Sequence, residues 1–466
     1  MEPYFHIQFC ISVHTKKSVI GGSSLLLLLA ITYLNFCCEQ NQFYQIIVCY
    51  SLGFIGYFTF LYRLETNNRA LFKYGITLGV LIRVILLFAF PQLSDDIYRF
   101  LWDGHLIHKG IQPLTYLPSE LIKDLSLSDD YLQSIYPYLN SPDYFTVYPP
   151  VSQFVFYLAT ISEDWSLSVS AGIIKFILLL SDLGILLMLS VLLKSFGKSA
   201  KWSLLYFLNP LVITEVAGQI HFESLMVFFL CGVFYALKSK KLQIAGVSLA
   251  LSVATKLLPL MFLPLFMKHL ISTDGRSNQK IQLIKFLIPF GLILLITFVP
   301  FFWSLYLEHF LTSINLYFQS FEFNASIYYL LRWLGFWITG FNQIAIIGPL
   351  LSLGTIGFIA YLALRKNMAQ VQSLWRYCMM TFACYLFFTT TIHPWYLIML
   401  LFFNTSVRWK WVLAWSAVIM LSYSTYLHPD FQQNLFLISI EYLVVFTIMI
   451  WEWKKDRVTE KDRAPR

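Results

Sequence analysis

The chain has 466 residues, of which 58% are hydrophobic and 12% are charged. Soluble domains carry about a quarter charged residues, so this composition excludes an ordinary soluble protein. The formal net charge of +8 points to an anionic partner only if its distribution along the chain has no other explanation.

Long apolar runs recur along the whole chain. Runs of about 18 or more such residues are typical of membrane-spanning helices. We therefore predict an all-α fold, a polytopic transmembrane helical bundle of about fourteen spans that forms a single integral membrane domain over residues 1–466. The clearest runs are Val19–Cys38, Phe43–Tyr62, Ala70–Phe90, Ala171–Leu193 and Ile344–Leu364.

Lysine and arginine gather in every second connection between these predicted spans. Basic residues in short loops mark the cytoplasmic side, so we expect a multi-pass protein of the inner (cytoplasmic) membrane with both termini cytoplasmic. The basic excess is then an orientation signal, and no nucleic-acid partner is expected. Residues 91–168 form a first outer loop with interfacial helices, and residues 305–340 form a second. The apolar stretch Val151–Ile161 must not cross, and it is interpreted as interfacial or re-entrant.

The first outer loop begins with a segment that has the pattern of a helix. Ser94 is the predicted N-cap, and Asp95 and Asp96 occupy the first turn. Arg99 and Asp103 share a face with Asp96. Acidic residues favour any helix N-terminus, so ordinary capping explains the pair without function. At a membrane boundary, however, two adjacent carboxylates among apolar neighbours can have one pKa raised, which suits a general base.

The later part of this loop, Tyr136–Pro150, is rich in tyrosine and proline. Prolines stiffen an irregular backbone, and tyrosines suit either lipid headgroups or the face of a sugar. Tyr148 is the candidate for substrate contact in this stretch. A plain interfacial anchor is the alternative.

Polar residues also interrupt later spans. Asn209-Pro210 breaks one span, and His221 and Glu223 follow it. Such a break usually lines a cavity, because lipid cannot satisfy the freed backbone groups. Lys256 lies between two short, proline-containing spans, where an ammonium must snorkel, pair or meet an anion. The candidates for binding a substrate phosphate are Arg99, Lys256 and Arg332, with His221 and His393 in support.

A further outer junction reads His393-Pro-Trp-Tyr396. Trp395 and Tyr396 are candidates for substrate contact here. An aromatic belt at the membrane surface is the alternative.

Several short blocks resemble one known group of enzymes when they are taken in order. They resemble the GT-C superfamily of polyprenyl-phosphate-sugar-dependent glycosyltransferases, specifically its bacterial mannosyltransferase-like members, across residues 71–404. Phe222-Glu223 departs from the Asn-Asp or similar pair that related sequences tend to carry. The blocks are Ser94–Gly104, Gly110–Pro113, Val147–Pro150, Asn209–Val212, Gly218–His221, Ala254–Lys256 with Pro259, and His393–Tyr396.

This resemblance implies a GT-C-like fold and a glycosyltransferase. The enzyme would move a sugar, mannose in the bacterial members, from a polyprenyl-phosphate donor to a lipid-linked or glycan acceptor at the outer face, with inversion. Retention, which would need a second carboxylate as nucleophile, is the open alternative. Asp95 or Asp96 would deprotonate the acceptor, and basic residues would hold the leaving phosphate. Membrane lipids are the other expected partners. No cofactor is expected, and a divalent metal is left open.

Two other classes are weighed against this one. A transporter or flippase of lipid-linked sugars would show inverted repeats and ionisable groups at the midplane, and no clear repeat stands out. A polysaccharide polymerase or ligase would call for paired arginines in two outer loops. Arg99 and Arg332 are the only arginines predicted outside.

Overall fold

The chain is helical throughout the part that the structure describes. The computed structural model describes residues 3–64, 68–124, 129–162, 165–273, 278–301, 304–319 and 321–461. Over these ranges no β-strand forms, and a single β-bridge joins Phe323 and Thr391. The predicted all-α fold is confirmed.

The N-terminal part packs long helices against the start of the first outer loop. Gly56 lets α1 and α2 come close together, because a Cβ there would lie 2.7 Å from the carbonyl oxygen of Ser23. The helices of this part are α1 (Pro3–Cys37), α2 (Phe43–Leu64), α3 (Arg69–Leu86), α4 (Asp96–His108), α5 (Pro118–Leu121), α6 (Asp130–Ile135) and α7 (Pro150–Ala159).

The central part begins with the longest apolar helix that follows the outer loop. Arg83 of α3 and Asp182 of α8 join the two parts through an ion pair of 2.7 Å, and both side chains are fully buried. The helices of this part are α8 (Leu167–Ser195), α9 (Leu204–Phe207), α10 (Pro210–Val212), α11 (Glu223–Lys238), α12 (Leu242–Thr255), α13 (Leu263–Thr273) and α14 (Gln279–Phe298).

The C-terminal part ends in a long apolar helix. Glu441 in that helix accepts hydrogen bonds from Asn324 and from the indole of Trp415. The helices here are α15 (Ser304–Gln319), α16 (Ile327–Thr339), α17 (Ile344–Arg365), α18 (Val371–Phe388), α19 (Leu397–Val407), α20 (Lys410–Val418) and α21 (Leu435–Lys461). Turns of 3-10 helix cover Tyr136–Tyr138, Ala200–Ser203, Leu258–Phe262, Val299–Phe301, Pro394–Tyr396 and Ile419–Leu427, and a π-helix covers Ile213–Gly218.

Several of these helices are long and apolar enough to cross a membrane. The bent pair Pro210–Gly218 and Glu223–Lys238, with 113° between its halves, adds one further candidate. The predicted polytopic character is thus confirmed in kind, and the count of about fourteen spans stays a prediction. Within the described residues the six single candidates are Ser18–Cys37, Phe43–Leu64, Leu167–Ser195, Gln279–Phe301, Ile344–Arg365 and Leu435–Lys455.

The apolar stretch near the end of the first outer loop forms the ten-residue helix α7. At 1.5 Å per residue it is about 15 Å long, half of a hydrocarbon core of about 30 Å, so it does not cross by itself. It packs tightly against α4 at Gly104, where a Cβ would lie 2.3 Å from the carbonyl oxygen of Phe156. This close crossing fixes the position of α4.

Candidate active site

A cavity of about 740 Å³ opens at the end of the bundle where α4 begins. Segments that are distant in the sequence meet there: the start of α4, the loop before α7, the break before α11, the α12–α13 connection and the segment that follows α18. The polar and aromatic residues that line it include Asp95, Asp96, Arg99, Asn140, Tyr144, Tyr148, His221, Lys256, Glu322, Thr389, Thr390, Thr391, His393, Trp395, Tyr396 and Gln433.

The backbone that leads into α4 is held by side chains from other helices. Lys175 of α8 donates to the carbonyl oxygens of Leu86 and Ala89, where α3 ends. The side chain of Gln219 accepts from the Leu93 amide at 2.8 Å, and the Tyr423 hydroxyl donates to the Leu93 carbonyl at 3.3 Å. The first turn of α4 is therefore placed by the bundle as well as by its own sequence.

Helix α4, which has the acidic pair at its start, begins one residue later than predicted. Asp95, not Ser94, is the N-cap residue, and its side chain makes no capping hydrogen bond. The prediction of Ser94 as the N-cap is wrong because the helical backbone begins at Asp96, although the Asp96 amide still donates to the Ser94 hydroxyl at 3.4 Å. The side chain of Asp95 is exposed.

Asp96 is surrounded by polar groups from the loop before α7 and from the break before α11. Its Oδ1 accepts from the Asn140 amide at 3.0 Å, and its Oδ2 accepts from the Tyr148 hydroxyl at 3.2 Å. His221 Nδ1 lies 3.9 Å from Oδ2, and 21% of the Asp96 side chain is exposed. Burial raises the pKa of Asp96, and the Asn140 amide, the Lys256 charge and the Tyr148 hydroxyl offset part of that rise. Such a carboxylate can accept a proton from a hydroxyl in the cavity.

Arg99 is committed to the structure of the loop. Its Nε donates to Asp103 at 2.9 Å, and its Nη1 donates to the carbonyl oxygens of Ser141 and Tyr144. Asp103 also accepts from Gln153 of α7 at 2.8 Å. Asp103 does not line the cavity. The shared helix face predicted for these residues thus ties the aromatic loop to α4 through Nε and Nη1 of Arg99. Arg99 also lines the cavity, and in the described part of the chain its Nη2 has no hydrogen-bond partner.

The break between α10 and α11 places two more polar side chains. After the π-helix Ile213–Gly218, Ile220 takes a left-handed conformation with φ of 63°, which is rare and costly for a β-branched residue. This turn directs His221 towards Asp96, and its Nε2 lies 3.1 Å from Glu215 Oε2. The predicted interruption of this span is therefore present, and it does line the cavity.

Lys256 lines the same cavity as Asp96, directly after the end of α12. Its ammonium pairs with Glu223, which is buried, while 18% of the Lys256 side chain is exposed. Glu223 itself does not line the cavity. The contact with Glu223 holds the Lys256 ammonium at the cavity wall, where it can meet an anionic group.

The His-Pro-Trp-Tyr motif supplies an aromatic wall. The ring of Trp395 stacks on His221 with 3.7 Å between centroids, and His393 stacks on the same indole at 4.4 Å. Phe323 continues the stack on His393 at 4.7 Å. Tyr396 also lines the cavity. A flat apolar wall of this kind suits the face of a sugar ring.

Arg332, predicted to join the phosphate site, does not line the cavity. Its guanidinium pairs with Glu322 and lies 4.5 Å from the centre of the Tyr329 ring. Glu322, which does line the cavity, has no counterpart in the sequence-based prediction. Asn140 was also missed, because it lies inside a stretch whose composition indicates an anchor.

Side chains of the types that bind metals form no ion-binding cluster in the described part of the chain. There, no group of three or more His, Cys, Asp or Glu side chains is arranged to hold a metal ion.

A comparison with protein-family models gives a match over half of the chain. Residues 37–272 match the MptA_B family, described as alpha-(1->6)-mannopyranosyltransferase, N-terminal domain. The matched region contains the acidic pair, the broken span with His221, and Lys256, and it ends before the second outer loop. No functionally curated protein matches the chain.

Proposed function

The chain belongs to the MptA_B family of alpha-(1->6)-mannopyranosyltransferases, a GT-C-type mannosyltransferase family, and on this premise we propose that its donor is a polyprenyl-phosphate-linked mannose. The acceptor is a lipid-linked or glycan hydroxyl at the outer face of the membrane. The observation that carries the proposal is the juxtaposition of Asp96 and Lys256 on the wall of one cavity.

The donor follows from where this cavity lies. Residues 91–168 supply its acidic pair, and the charge pattern of the chain puts that loop outside. Nucleotide sugars are made in the cytoplasm, so an outward-facing site needs a sugar carried across on a lipid. A lipid phosphate carries its negative charge at the membrane surface, and the Lys256 ammonium lies on the cavity wall beside a buried partner carboxylate.

Asp96 is the proposed general base. It takes the proton of the acceptor hydroxyl while that oxygen attacks the anomeric carbon from the side opposite the phosphate. The bond from the anomeric carbon to the phosphate oxygen breaks, and its electron pair stays on the lipid phosphate. Inversion at this carbon turns a β-linked donor into an α-linked product, which agrees with the linkage in the name of the family.

Lys256 is the proposed contact for the leaving phosphate. Negative charge grows on the phosphate oxygen as the glycosidic bond breaks, and a fixed cation nearby lowers the energy of that transition state. Arg99 and Asp103 position the loop, because their charges already meet each other and the loop carbonyls. His393, Trp395, Tyr396 and Tyr148 are proposed to hold the sugars.

The donor proposal is tested by transfer in vitro from a defined set of mannose donors. Purified enzyme in lipid nanodiscs receives β-linked polyprenyl phosphomannose, its α-linked isomer or a nucleotide diphosphate mannose, each with the same mannoside acceptor. We expect an α-(1→6) product from the β-linked lipid donor alone. Transfer from the nucleotide sugar, or from the α-linked lipid, contradicts the proposal.

The proposed location is the inner membrane, with both termini cytoplasmic and residues 91–168 outside. Two exposed serines allow a matched test: Ser134 in the first outer loop and Ser239 after α11. Each is changed to Cys in a variant that lacks the native cysteines. We expect Ser134→Cys to react with a membrane-impermeant maleimide in intact spheroplasts, and Ser239→Cys only after permeabilisation. The reverse pattern contradicts the topology.

A further inference from the structure

Two buried side chains behind Asp96 have no part in the reaction described above. The ring of His221 lies between two carboxyl groups, with Nδ1 3.9 Å from Asp96 Oδ2 and Nε2 3.1 Å from Glu215 Oε2. The exposed fraction is 2% for the His221 side chain and zero for that of Glu215. A carboxyl, an imidazole and a second carboxyl therefore lead from the cavity into the bundle.

Glu215 lacks the compensation that a buried carboxyl normally has. In the described part of the chain neither of its oxygens has a hydrogen-bond partner, and His221 Nε2 has none either, although 3.1 Å separates Nε2 from Oε2. The neighbouring ammonium of Lys256 is paired with Glu223. A buried, unsatisfied carboxyl is costly, and native proteins that keep one commonly use it.

The fold holds this arrangement with its own backbone. Glu215 lies in the π-helix Ile213–Gly218, a rare form that is frequent at functional sites. The His221 amide donates to the Glu215 carbonyl oxygen at 2.9 Å, across the left-handed turn at Ile220. Trp395 stacks on one face of the imidazole with 3.7 Å between ring centroids, so the indole helps to hold the ring in place.

We propose that His221 takes the acceptor proton from Asp96 after the sugar transfer, and that Glu215 is the positioning residue that makes this possible. This inference rests on the proposed function. Glu215 accepts the Nε2 proton of the neutral imidazole, which leaves the lone pair of Nδ1 directed at Asp96. Buried carboxylates fix histidine tautomers in this way in other enzymes.

The proton balance has two steps. Asp96 first gains the proton of the acceptor hydroxyl while the electron pair of the glycosidic bond leaves with the phosphate. The proton then passes from Asp96 to Nδ1, so Asp96 is again a carboxylate and the imidazolium is paired with Glu215. As the products leave, Nδ1 releases the proton to water that enters the cavity. Catalytic contacts in ligand-free structures are often longer than in the complex, and the 3.9 Å gap is of this kind.

Lys256 and a second histidine, His393, also act on the charge of His221. They bear on how the rate depends on pH. Burial, the positive charge on Lys256 and the neighbouring His393 oppose the imidazolium, and a carboxylate at Glu215 favours it. The charged or titratable groups that face His221 are Asp96 from α4, Glu215 from the π-helix, Glu223 from α11, Lys256 after α12 and His393 after α18.

The test compares two substitutions of buried glutamates by glutamine. Glu215→Gln removes the proposed anchor and offers an amide donor to Nε2, which favours the wrong tautomer. Glu441→Gln is the matched control, because Glu441 is equally buried and bonds only Asn324 and Trp415 among the contacts described. We expect kcat of Glu215→Gln to fall about 10- to 100-fold with an unchanged KM for the lipid donor. The acid limb of its kcat–pH profile moves to lower pH, because the neutral amide does not stabilise the imidazolium as the carboxylate of Glu215 does.

The same assay separates this inference from the function on which it rests. If the wild-type enzyme does not transfer mannose from the lipid donor, the proposed function is contradicted. An active wild type whose kcat and acid limb survive Glu215→Gln contradicts the relay alone, and so does a fall in kcat equal to that of Glu441→Gln. Should Glu215→Gln fail to accumulate, His221→Gln carries the test. A rise in donor KM without a fall in kcat then shows a phosphate contact and overturns the relay.

Discussion

Tyr148 donates its phenolic hydroxyl to Asp96 at 3.2 Å, and this bond joins the aromatic loop before α7 to the first turn of α4. The two residues are 52 positions apart in the chain. The contact favours the ionised form of a carboxylate whose pKa burial has raised.

Tyr148→Phe removes that donor and leaves the ring. The pKa of Asp96 should then rise further, so a larger fraction of the base is protonated at a given pH. We expect the acid limb of the kcat/KM–pH profile to move up by about one pH unit. The control is Tyr138→Phe, because Tyr138 is exposed outside the cavity. A limb that stays in place in Tyr148→Phe would show that Asp96 does not set it.

Lys256→Gln tests the proposed phosphate contact. It removes the cation at the cavity wall and leaves the buried Glu223 without its partner, so both activity and yield should fall. The double variant with Glu223→Gln removes the uncompensated carboxylate and should recover the yield. We expect kcat to stay about 10²–10³-fold below wild type in both variants. Recovery of the wild-type rate in the double variant would make the pair structural.

Asp182→Asn tests the ion pair between α3 and α8, which lies outside the cavity. The change leaves the fully buried guanidinium of Arg83 without its charge partner, which should cost about 3–5 kcal/mol of stability. Thermal unfolding in detergent measures the loss. Protein that remains folded should transfer mannose at the wild-type rate. The Arg83→Met/Asp182→Leu double variant should restore most of the stability. An unchanged Tm in Asp182→Asn would instead show that a neutral amide can stand in for the carboxylate of the pair.

The sequence predicted which residues line the cavity better than it predicted the contacts between them. Asp96, His221, Lys256 and His393 stand out because polar residues are rare between apolar runs, and the structure brings all four to one cavity. Their order along the chain carried the family resemblance, which the family match confirms.

Pairing between distant segments was not predictable in the same way. Arg99 was predicted as a phosphate contact and does line the cavity, but its bonds to Asp103 and two loop carbonyls were not foreseen. Arg332 was expected beside it, but it pairs with Glu322. Each choice depends on the path of a loop, and the sequence pattern of a loop does not specify which carboxylate an arginine will reach.

Local helix rules also reached their limit at the acidic pair. Capping statistics favour Ser94, whereas the helix starts after Asp95. The backbone there is held by Gln219 and Tyr423, so tertiary contacts override the local preference by one residue.

The most direct test of this account is the rate of mannosyl transfer by Asp95→Asn and Asp96→Asn in lipid nanodiscs. Asparagine still suits the start of a helix but cannot take the acceptor proton, so both variants should fold. We expect Asp96→Asn to lose about 10²–10⁴-fold in kcat and Asp95→Asn, whose side chain is exposed, to keep most of it. Wild-type transfer by Asp96→Asn would contradict the central claim that this carboxylate is the base.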